Sequence, residues 1–333
     1  MFNNKSILIT GGTGSYGKHL IEHILRKYKK VKKIIIFSRD ELKQYELMKL
    51  HEKNISKLRF FLGDVRDQSR LMLAFQGVDF VIHAAALKQV PASEYNPFEF
   101  IKTNILGAQN VIECALERNV KKVIALSTDK AASPINLYGA TKLCSDKLFS
   151  SANHIVGNKD IKFSVIRYGN VMGSRGSVLP LFLNIKEVNN YFPITHKEMT
   201  RFNILLEDAI DMTDWVFKNM KGGEIFVCKI NSFKIVDLAK AISANHKLKF
   251  IGLRPGEKMH EEMITIADSY NTYDLGKYYA IINPSNIKLL NFYKKKFKKF
   301  KNTKSYNSKE NKFLTVSELR KLVSSFFKKT REL

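Results

Sequence analysis

A glycine-rich turn between an apolar run and a helix-like stretch limits most strongly how this chain can fold. Residues 5–20 read KSILITGGTGSYGKHL, in which Gly11, Gly14 and Gly17 follow the apolar residues 6–10. Glycines at such intervals permit a tight turn, close approach of the backbone to a diphosphate, and packing of a helix on the preceding strand. The order strand, glycine turn, helix therefore predicts the first unit of a dinucleotide-binding α/β fold.

Beyond this turn, apolar runs rich in β-branched residues alternate with longer stretches of helical period. Strands that are buried on both faces and joined by helices form a parallel, doubly wound sheet, so the sequence predicts an α/β chain of Rossmann type. The predicted strands cover residues 6–10, 33–38, 58–63, 80–84, 122–127, 163–168 and 224–227. The predicted helices lie near residues 15–28, 40–52, 67–76, 97–118, 138–153 and 207–219.

The alternation breaks after Asn170, which suggests a second structural unit. We expect a nucleotide-binding domain of residues 1–170 plus 205–229, and a smaller, interleaved substrate-binding lobe of residues 171–204 and 230–285. Residues 286–333 form a basic C-terminal extension. Within it, the lysine-rich stretch 293–301 predicts an exposed or disordered linker, and the apolar spacing over residues 315–329 predicts a short helix.

The positive charge is concentrated in this extension. Of the formal net charge of +25, residues 286–333 contribute +12. Lys is favoured over Arg, which is more typical of solvated surface lysines than of guanidinium groups that bind phosphates in pairs of hydrogen bonds. We therefore predict no nucleic-acid partner. Attraction of an anionic substrate, a membrane surface or an acidic partner is the alternative.

Several classes of protein are excluded by composition. The longest apolar runs fall far short of the roughly 20 residues that a membrane-spanning helix needs, and the first residues lack the pattern of a signal peptide. Cys114, Cys144 and Cys228 are widely separated and lack CxxC or His-rich neighbours, so we predict neither disulfides nor a metal site. We expect a cytoplasmic chain without a transmembrane segment.

The end of the second predicted strand should select the cofactor. In FSRDE, Ser38 and Arg39 suit the 2′-phosphate of NADP, whereas Asp40 would suit the 2′-hydroxyl of NAD, and we predict NADP. Asp64, after the third strand, can accept a hydrogen bond from the adenine amino group. The predicted cofactor-binding residues are Gly11, Thr13, Gly14, Ser15, Tyr16, Gly17, Ser38, Arg39, Asp40, Lys43, Asp64, Val65, Ala84, Ala85, Ala86, Lys88, Asn104, Tyr138 and Lys142.

The stretch STDKAASPINLYGATK, residues 127–142, contains the candidate catalytic groups. Tyr138 and Lys142 are one helical turn apart and share a face of the predicted helix. An ammonium beside a phenol favours the phenolate, which lowers a pKa that is ordinarily about 10. Such a base removes an alcohol proton while hydride leaves the same carbon for a nicotinamide.

With TGGTGSYG, HAAA, Thr128 and YGATK in this order, the chain resembles the extended short-chain dehydrogenase/reductases that act on nucleotide sugars, up to about residue 285. The pair Asp129-Lys130 after Thr128 resembles the inverting UDP-N-acetylglucosamine 4,6-dehydratases, whose product leads to pseudaminic acid and related surface sugars. The segments SRDELKQYE, AALKQVPASEYNPFE, RYGNVMGSRGSV and RPGEKMHEEM are also similar to that family. The resemblance implies an NADP-dependent carbon–oxygen lyase that acts on UDP-N-acetylglucosamine, as a homo-oligomer, hexamer or dimer.

The resemblance also implies roles for individual residues. Tyr138 removes the O4 proton, Lys130 removes the C5 proton because burial and neighbouring cations lower its pKa, and Asp129 assists loss of the C6 hydroxyl as water. The implied catalytic residues are Thr128, Asp129, Lys130, Tyr138 and Lys142. The implied substrate-binding residues are Lys88, Asn170, Arg175, Val178, His196, Arg254 and Glu257.

Two other functions are compatible with these motifs. A UDP-sugar 4- or 5-epimerase would use the same glycine turn and the same Tyr138 and Lys142, and would release a product of unchanged mass. A catalytically silent NADP-binding regulator would need only the glycine turn. The presence of Asp129 and Lys130 beside the tyrosine favours the dehydratase over both.

Overall fold

The computed structural model describes residues 1–174, 176–300 and 304–331 of the chain, with side chains up to residue 326. The strands are β1 Ser6–Thr10, β2 Lys33–Ser38, β3 Leu58–Leu62, β4 Phe80–His83, β5 Lys122–Thr128, β6 Lys162–Tyr168, β7 Asn170–Val171, β8 Tyr191–Ile194, β9 Thr200–Ile204, β10 Glu224–Cys228, β11 Ser232–Lys234, β12 Lys247–Phe250, β13 Glu262–Ile264, β14 Thr272–Asp274, β15 Tyr278–Ile282, β16 Lys298–Lys299 and β17 Tyr306–Asn307. The helices are α1 Ser15–Lys27, α2 Glu41–Leu50, α3 Gln68–Ala74, α4 Val90–Tyr95, α5 Pro97–Ile101, α6 Gly107–Glu117, α7 Leu137–Ser151, α8 Val178–Val188, α9 Leu206–Asn219, α10 Ile235–Ile242, α11 Ile266–Ser269, α12 Ile287–Lys296 and α13 Val316–Arg331.

A ten-stranded sheet in the order β16-β14-β15-β10-β6-β5-β4-β1-β2-β3 forms the centre of the molecule. The strands from β10 to β3 in this order are parallel, and they are the strands that the sequence predicts. Side chains alternate across the sheet, so Ile7 and Ile9 of β1 pack in one hydrophobic cluster while Leu8 packs in the other. The prediction of a doubly wound α/β fold is confirmed.

The order of the strands determines where a crevice opens in the sheet. Strand β1 lies between β2 and β4, and the chain crosses to the other side of β1 after β3. In such sheets a crevice opens at the carboxyl ends of the strands where the winding direction reverses. The carboxyl ends of β1, β4, β5 and β6 therefore surround one crevice.

A third hydrophobic cluster lies outside the two faces of the sheet. It joins α8, β8, α10 and the C-terminal helix α13 through buried side chains that include Leu179, Phe192, Leu238, Leu319 and Val323. Strands β8 and β12 pair in parallel beside it. Within the described ranges, no helix combines the length and the hydropathy that a membrane span requires.

Two expectations about the late part of the chain differ from the structure. The sequence assigns residues 272–282 to the smaller lobe, whereas β14 and β15 extend the main sheet, because β15 pairs antiparallel with β10 along its whole length. The predicted linker at residues 293–301 is wrong as far as residue 300. Helix α12 and strand β16 occupy it, because Leu289 and Tyr293 are buried while the lysines lie at the surface. Residue 301 lies outside the described ranges, and α13 occupies the predicted C-terminal helix.

Candidate active site

A cavity of about 1300 Å³ opens at the carboxyl ends of the parallel strands and extends to the third hydrophobic cluster. The predicted site residues come from many separate segments, and the structure brings them to the wall of this cavity with two exceptions, Asn104 and His196. A third predicted residue, Arg175, lies outside the described residues. The cavity therefore joins the glycine turn, the Thr128–Lys142 stretch and the RPGEK segment in one site.

The glycine turn is packed so closely that side chains are sterically excluded. Gly11 has φ +68°, and a Cβ there would lie 2.9 Å from the Cα of Ala85. A Cβ on Gly17 would lie 2.4 Å from the carbonyl oxygen of Gly12. Gly14 is the N-cap of α1 and supplies no side chain to cap the helix amides. An open helix N-terminus beside a cavity suits a diphosphate, so the residues present fit a dinucleotide.

Gly17→Val is expected to weaken dinucleotide binding by about 10- to 100-fold, because its side chain would displace the backbone of Gly12 from the binding turn. Isothermal titration calorimetry with NADP⁺ measures the loss. Gly77→Asn is the control, since nothing lies within 4 Å of the Cβ position of Gly77 and Asn tolerates its positive φ. Equal affinity of Gly17→Val and the wild type would contradict the assignment of the turn.

Arg39 and Asp40 follow β2 at the cavity wall, where the carboxylate of Asp40 is already bound by groups of α2. Asp40 is the N-cap of α2, where it accepts a hydrogen bond from the backbone amide of Lys43 and pairs with the ammonium of that residue. The guanidinium of Arg39 is about half exposed and lies 3.4 Å from Asp64. Burial acts to raise the pKa of Asp64, but hydrogen bonds from Arg66 hold it below the ordinary value. Asp64 is therefore an anionic acceptor at the cavity wall.

Asn104 and His196 do not line the cavity, contrary to the sequence prediction. Asn104 is buried behind it, accepting from the amide of Leu87 and donating to the carbonyl of Leu87, each at 2.9 Å, and donating to Thr141 at 3.0 Å. It thereby fixes the segment that carries Lys88. His196 accepts from the amide of Glu198 at 3.1 Å and stabilises the turn after β8.

The candidate catalytic residues are placed by the end of β5 and the start of α7. Thr128 ends β5, and its hydroxyl donates to Asp129 at 2.9 Å and accepts from the amide of Lys130 at 3.3 Å. Asn136 caps α7 by accepting from the amide of Gly139 at 2.8 Å. A Cβ on Gly139 would lie 2.3 Å from the carbonyl oxygen of Lys130, so the helix packs directly on the turn. Tyr138 therefore faces the cavity in the first turn of the helix.

The electrostatics of Tyr138 differ from the prediction. Burial raises its pKa to about 12, although the charge of Lys130 and a hydrogen bond with Thr128 act in the opposite direction. Lys142 donates to the carbonyl of Leu126 at 2.8 Å, and burial lowers its own pKa. The prediction that Lys142 lowers the tyrosine pKa below its ordinary value is wrong, because desolvation dominates and the opposing cation is Lys130.

A buried cluster of charges surrounds Lys130. Its ammonium lies 3.1 Å from Asp129 Oδ1 and 3.2 Å from Glu261 Oε1. Burial opposes protonation of Lys130, but the two carboxylates outweigh it and raise the pKa above its ordinary value. The predicted lowering is wrong because Glu261 adds a second carboxylate. Burial together with Glu261 raises the pKa of Asp129.

The sequence misses Glu261 and Arg201 as members of this site. Glu261 is almost fully buried, and the guanidinium of Arg201 lies 3.7 Å from its Oε1 atom. Lys130 and Arg201 lower the pKa of Glu261 against the effect of burial. The available signal was the acid pair in RPGEKMHEEM, but nothing local distinguishes Glu261 from Glu262.

Besides the hydroxyls of Thr103 and Ser177, three carboxylate or amide oxygens of cavity-lining residues have no hydrogen-bond partner within the described ranges. They are Oδ2 of Asp129, Oδ1 of Asn170 and Oε2 of Glu261, all of them buried. Buried acceptors are almost always satisfied, so these positions suit hydroxyl or amide donors of a bound ligand. Asn170 is one of the predicted substrate-binding residues, and the geometry fits that role.

The remaining predicted substrate contacts within the described ranges also line the cavity. Arg254 donates twice to Glu257, at 3.0 and 2.9 Å, and Arg201 donates to the same carboxylate at 3.2 Å. The carboxylate of Glu257 thus accepts from two guanidinium groups, and this contact orients Arg254 at the cavity wall. Lys88 also lines the cavity, and burial and the charge of Lys130 lower its pKa.

Comparisons with known proteins show which family the chain resembles. The sequence model of the family described as "Polysaccharide biosynthesis protein" matches residues 7–283. A UDP-N-acetylglucosamine 4,6-dehydratase (inverting) of Campylobacter jejuni is 55% identical over 320 residues, 93% of this chain and 94% of the relative. A UDP-glucose 4-epimerase of Rickettsia akari is 41% identical over 97% of this chain and 96% of its own length. The X-ray structure of Pen from Bacillus thuringiensis has a TM-score of 0.89 and 37% identity, covering 97% of this chain and 99% of the other.

Proposed function

The chain belongs to the polysaccharide biosynthesis protein family, and we propose that it is a UDP-N-acetylglucosamine 4,6-dehydratase that inverts C5. The product is UDP-2-acetamido-2,6-dideoxy-β-L-arabino-hex-4-ulose, a precursor of pseudaminic acid or of related surface sugars. The activity is that of a carbon–oxygen lyase. The 55% identity to an inverting dehydratase over most of both chains supports this choice.

One observation carries the proposal: an acid and a base lie 3.1 Å apart at the cavity wall, beside a tyrosine. Elimination of water across C5 and C6 needs a base at C5 and a proton for the leaving hydroxyl, and Lys130 and Asp129 supply both. Epimerisation at C4 needs only the tyrosine and the nicotinamide. The cavity therefore contains groups that dehydration uses and epimerisation does not.

The chain's own residues perform the proton transfers. A bound nicotinamide supplies reversible acceptance of hydride, which oxidises C4 and later reduces C6. Tyr138 removes the proton of the C4 hydroxyl, and Thr128 holds the tyrosine and the O4 region in place. The resulting 4-ketone acidifies the hydrogen on C5, within reach of the Asp129-Lys130 pair.

All protons of the elimination step are accounted for when Asp129 and Lys130 share one proton. The ion pair of Asp129 carboxylate and Lys130 ammonium becomes a neutral acid and a neutral amine when the proton moves along their 3.1 Å hydrogen bond. Burial narrows the free-energy difference between the ion pair and the neutral pair, because it destabilises both charges of the ion pair. The amine of Lys130 then takes the C5 proton, and Asp129 gives its proton to the C6 hydroxyl, which leaves as water. The original ion pair is restored.

Mass and proton NMR analysis of one reaction tests the function. The purified chain, incubated with UDP-N-acetylglucosamine and NADP⁺, is expected to release a 4-keto sugar nucleotide lighter than the substrate by one water. A product of unchanged mass would establish the epimerase instead. Absence of any new sugar nucleotide would favour the silent regulator.

We infer that the cofactor is NADP, because the Arg39 guanidinium at the cavity wall is about half exposed, whereas the Asp40 carboxylate at the same wall caps α2 and pairs with Lys43. Arg39→Ala is expected to weaken NADP⁺ binding about 10- to 100-fold and to change NAD⁺ binding little, since a charged hydrogen bond to the 2′-phosphate is lost. Titration of both dinucleotides measures the ratio. Arg59→Ala, at the surface on β3, is the control. An equal effect on both dinucleotides would contradict NADP selectivity.

We also propose that the third hydrophobic cluster, with β8 and β12, belongs to the substrate-binding lobe, while the parallel sheet holds the cofactor.

The thiols of Cys114, Cys144 and Cys228 are unpaired, which suits a reducing compartment, and we place the enzyme in the cytoplasm. A homo-oligomer is expected. Light scattering after size-exclusion chromatography measures its mass.

A further inference from the structure

The C-terminal segment of residues 304–326 returns to the catalytic centre, although it lies beyond the family match, which ends at residue 283. Strand β17 of this segment pairs antiparallel with β13, aligning Asn307 with Glu262 and Tyr306 with Ile264. Strand β13 begins one residue after Glu261, the carboxylate that contacts Lys130. The segment therefore forms the outer support of the site's charge cluster.

Ser308 makes the closest connection. It is fully buried, and its hydroxyl accepts from the amide of Glu261 at 2.8 Å. Its own amide donates to the carbonyl of Glu261, also at 2.8 Å. The same hydroxyl lies 2.7 Å from that of Thr200, the residue before Arg201. Both backbone groups of Glu261 are thus held by one residue.

The rest of the segment is anchored, so Ser308 is held in a defined place. Asn311 donates to the carbonyl of Ile230 at 2.7 Å. The backbone of Ser232 donates to Lys312 at 2.9 Å and accepts from Leu314 at 2.8 Å. Leu319 and Val323 of α13 are buried in the third hydrophobic cluster. These hydrogen bonds and buried side chains hold this part of the basic extension against the rest of the molecule.

A second contact ties the same segment to the cavity wall. Gly173 lies in the loop between β7 and α8, near Ser174 and Ser177, which line the cavity. A Cβ on Gly173 would lie 2.0 Å from Cε2 of Phe326, so the aromatic ring of α13 covers this glycine directly. The C-terminal segment therefore touches the site at two places, the charge cluster and the loop.

We propose that Ser308 is a positioning residue of the active site, which holds the carboxylate of Glu261 against the ammonium of Lys130. The C-terminal segment is then a working part of the enzyme, with a role distinct from that of a solvated tail. This inference rests on the proposed dehydratase function, because it assigns Ser308 an effect on the elimination step. Its effect passes through Glu261, since Ser308 itself contacts neither Lys130 nor the cavity.

The expected signature is a change in pH dependence. The reactive pair needs its shared proton, so kcat falls at high pH as the Asp129-Lys130 pair loses that proton. Glu261 stabilises the ammonium, and a displaced carboxylate moves this decline to lower pH. The titratable and charged groups that face Lys130 and Glu261 are Asp129, Arg201, Lys258, Tyr138, Lys88 and Glu262.

The test measures kcat, KM and the pH profile of water loss for Ser308→Ala in the full-length enzyme. We expect kcat to fall about 10-fold, with little change in KM, and the high-pH decline to move down by about one pH unit. Glu261→Gln is expected to move the decline in the same direction. Ser305→Ala, in the same segment, removes a hydroxyl that accepts from the side chain of Asn307, so it is the control and should match the wild type.

The pH profile of the Ser308 variants shows whether this residue positions Glu261. If Ser308→Ala keeps the wild-type kcat and pH profile, or loses activity without moving the profile, Ser308 is not a positioning residue. If that variant fails to fold, Ser308→Cys retains the shape but is a poor hydrogen-bond acceptor, and its pH profile gives the same decision. A wild-type enzyme that releases no water would instead contradict the proposed function.

Discussion

Lys130→Met is expected to abolish loss of water from UDP-N-acetylglucosamine while leaving dinucleotide binding intact. The substitution removes the base for C5 and also the donor from which Asp129 obtains its proton at 3.1 Å. Loss of one positioned proton-transfer group ordinarily costs about 10²- to 10⁴-fold in rate. Because both functions depend on Lys130, the upper end of this range is expected. Product formation followed by mass spectrometry measures the loss.

The control for this variant is Lys147→Met, which changes an exposed lysine on the same helix as Tyr138. Calorimetric titration with NADP⁺ shows whether the cofactor site survives, since Lys130 follows β5 and is not part of the glycine turn. Water loss by Lys130→Met within tenfold of the wild-type rate would remove this residue from the mechanism. Loss of NADP⁺ binding would show a structural role instead.

Tyr138→Phe is expected to reduce the oxidation of C4 by about 10²- to 10⁴-fold, because the phenolate of Tyr138 is the base that accepts the hydroxyl proton. Formation of reduced cofactor in a single turnover, followed by absorbance, isolates this step. The pKa of Tyr138 is about 12, so in the wild type the active phenolate becomes more abundant as the pH increases. The oxidation rate should therefore increase with pH, and the variant should lose this dependence.

Tyr95→Phe is the matched control, because Tyr95 is largely exposed on α4 and does not line the cavity. A phenylalanine at position 138 that preserves both the rate and its increase with pH would assign the proton transfer to another group. A wild-type rate that decreases over the same pH range would mean that the protonated phenol is the active form.

The parts of the site that could be predicted from the sequence are those in which one local unit fixes the geometry. Gly11 and Gly17 belong to a single strand-turn-helix unit, and Tyr138 and Lys142 to a single helix. Their spacing along the chain already determines their relative positions, and the alternation of apolar runs determines the sheet. These predictions needed no knowledge of distant contacts.

The charge cluster could not be predicted for the opposite reason. Glu261 and Lys130 are far apart in the chain and meet only because β13 packs beside the turn after β5. The direction of the pKa shift of Lys130 depends on which charges meet it there, since burial lowers the pKa and the two carboxylates raise it. The sequence prediction considered burial and neighbouring cations and therefore had the wrong direction, because the carboxylate of Glu261 comes from a distant segment.

The basic extension illustrates the same limit. A run of lysines predicts a solvated segment, and the lysines of α12 are indeed exposed, but the helix is held by Leu289 and Tyr293 on its buried face. The site contact of Ser308 depends on β17 finding β13, a pairing of only two positions that leaves no periodic signal. Composition describes the surface of this extension and says nothing of what its few buried residues support.

In the proposed mechanism, Lys130 and Asp129 eliminate water across C5 and C6, and C5 is inverted. Inversion requires that the proton returned to C5 arrives from the face opposite to the one that Lys130 deprotonates, so it comes from a second donor, whose proton exchanges with solvent. In heavy water, proton NMR of the product is expected to show complete replacement of hydrogen by deuterium at C5. A product that has lost water but retains its original hydrogen at C5 would contradict this account.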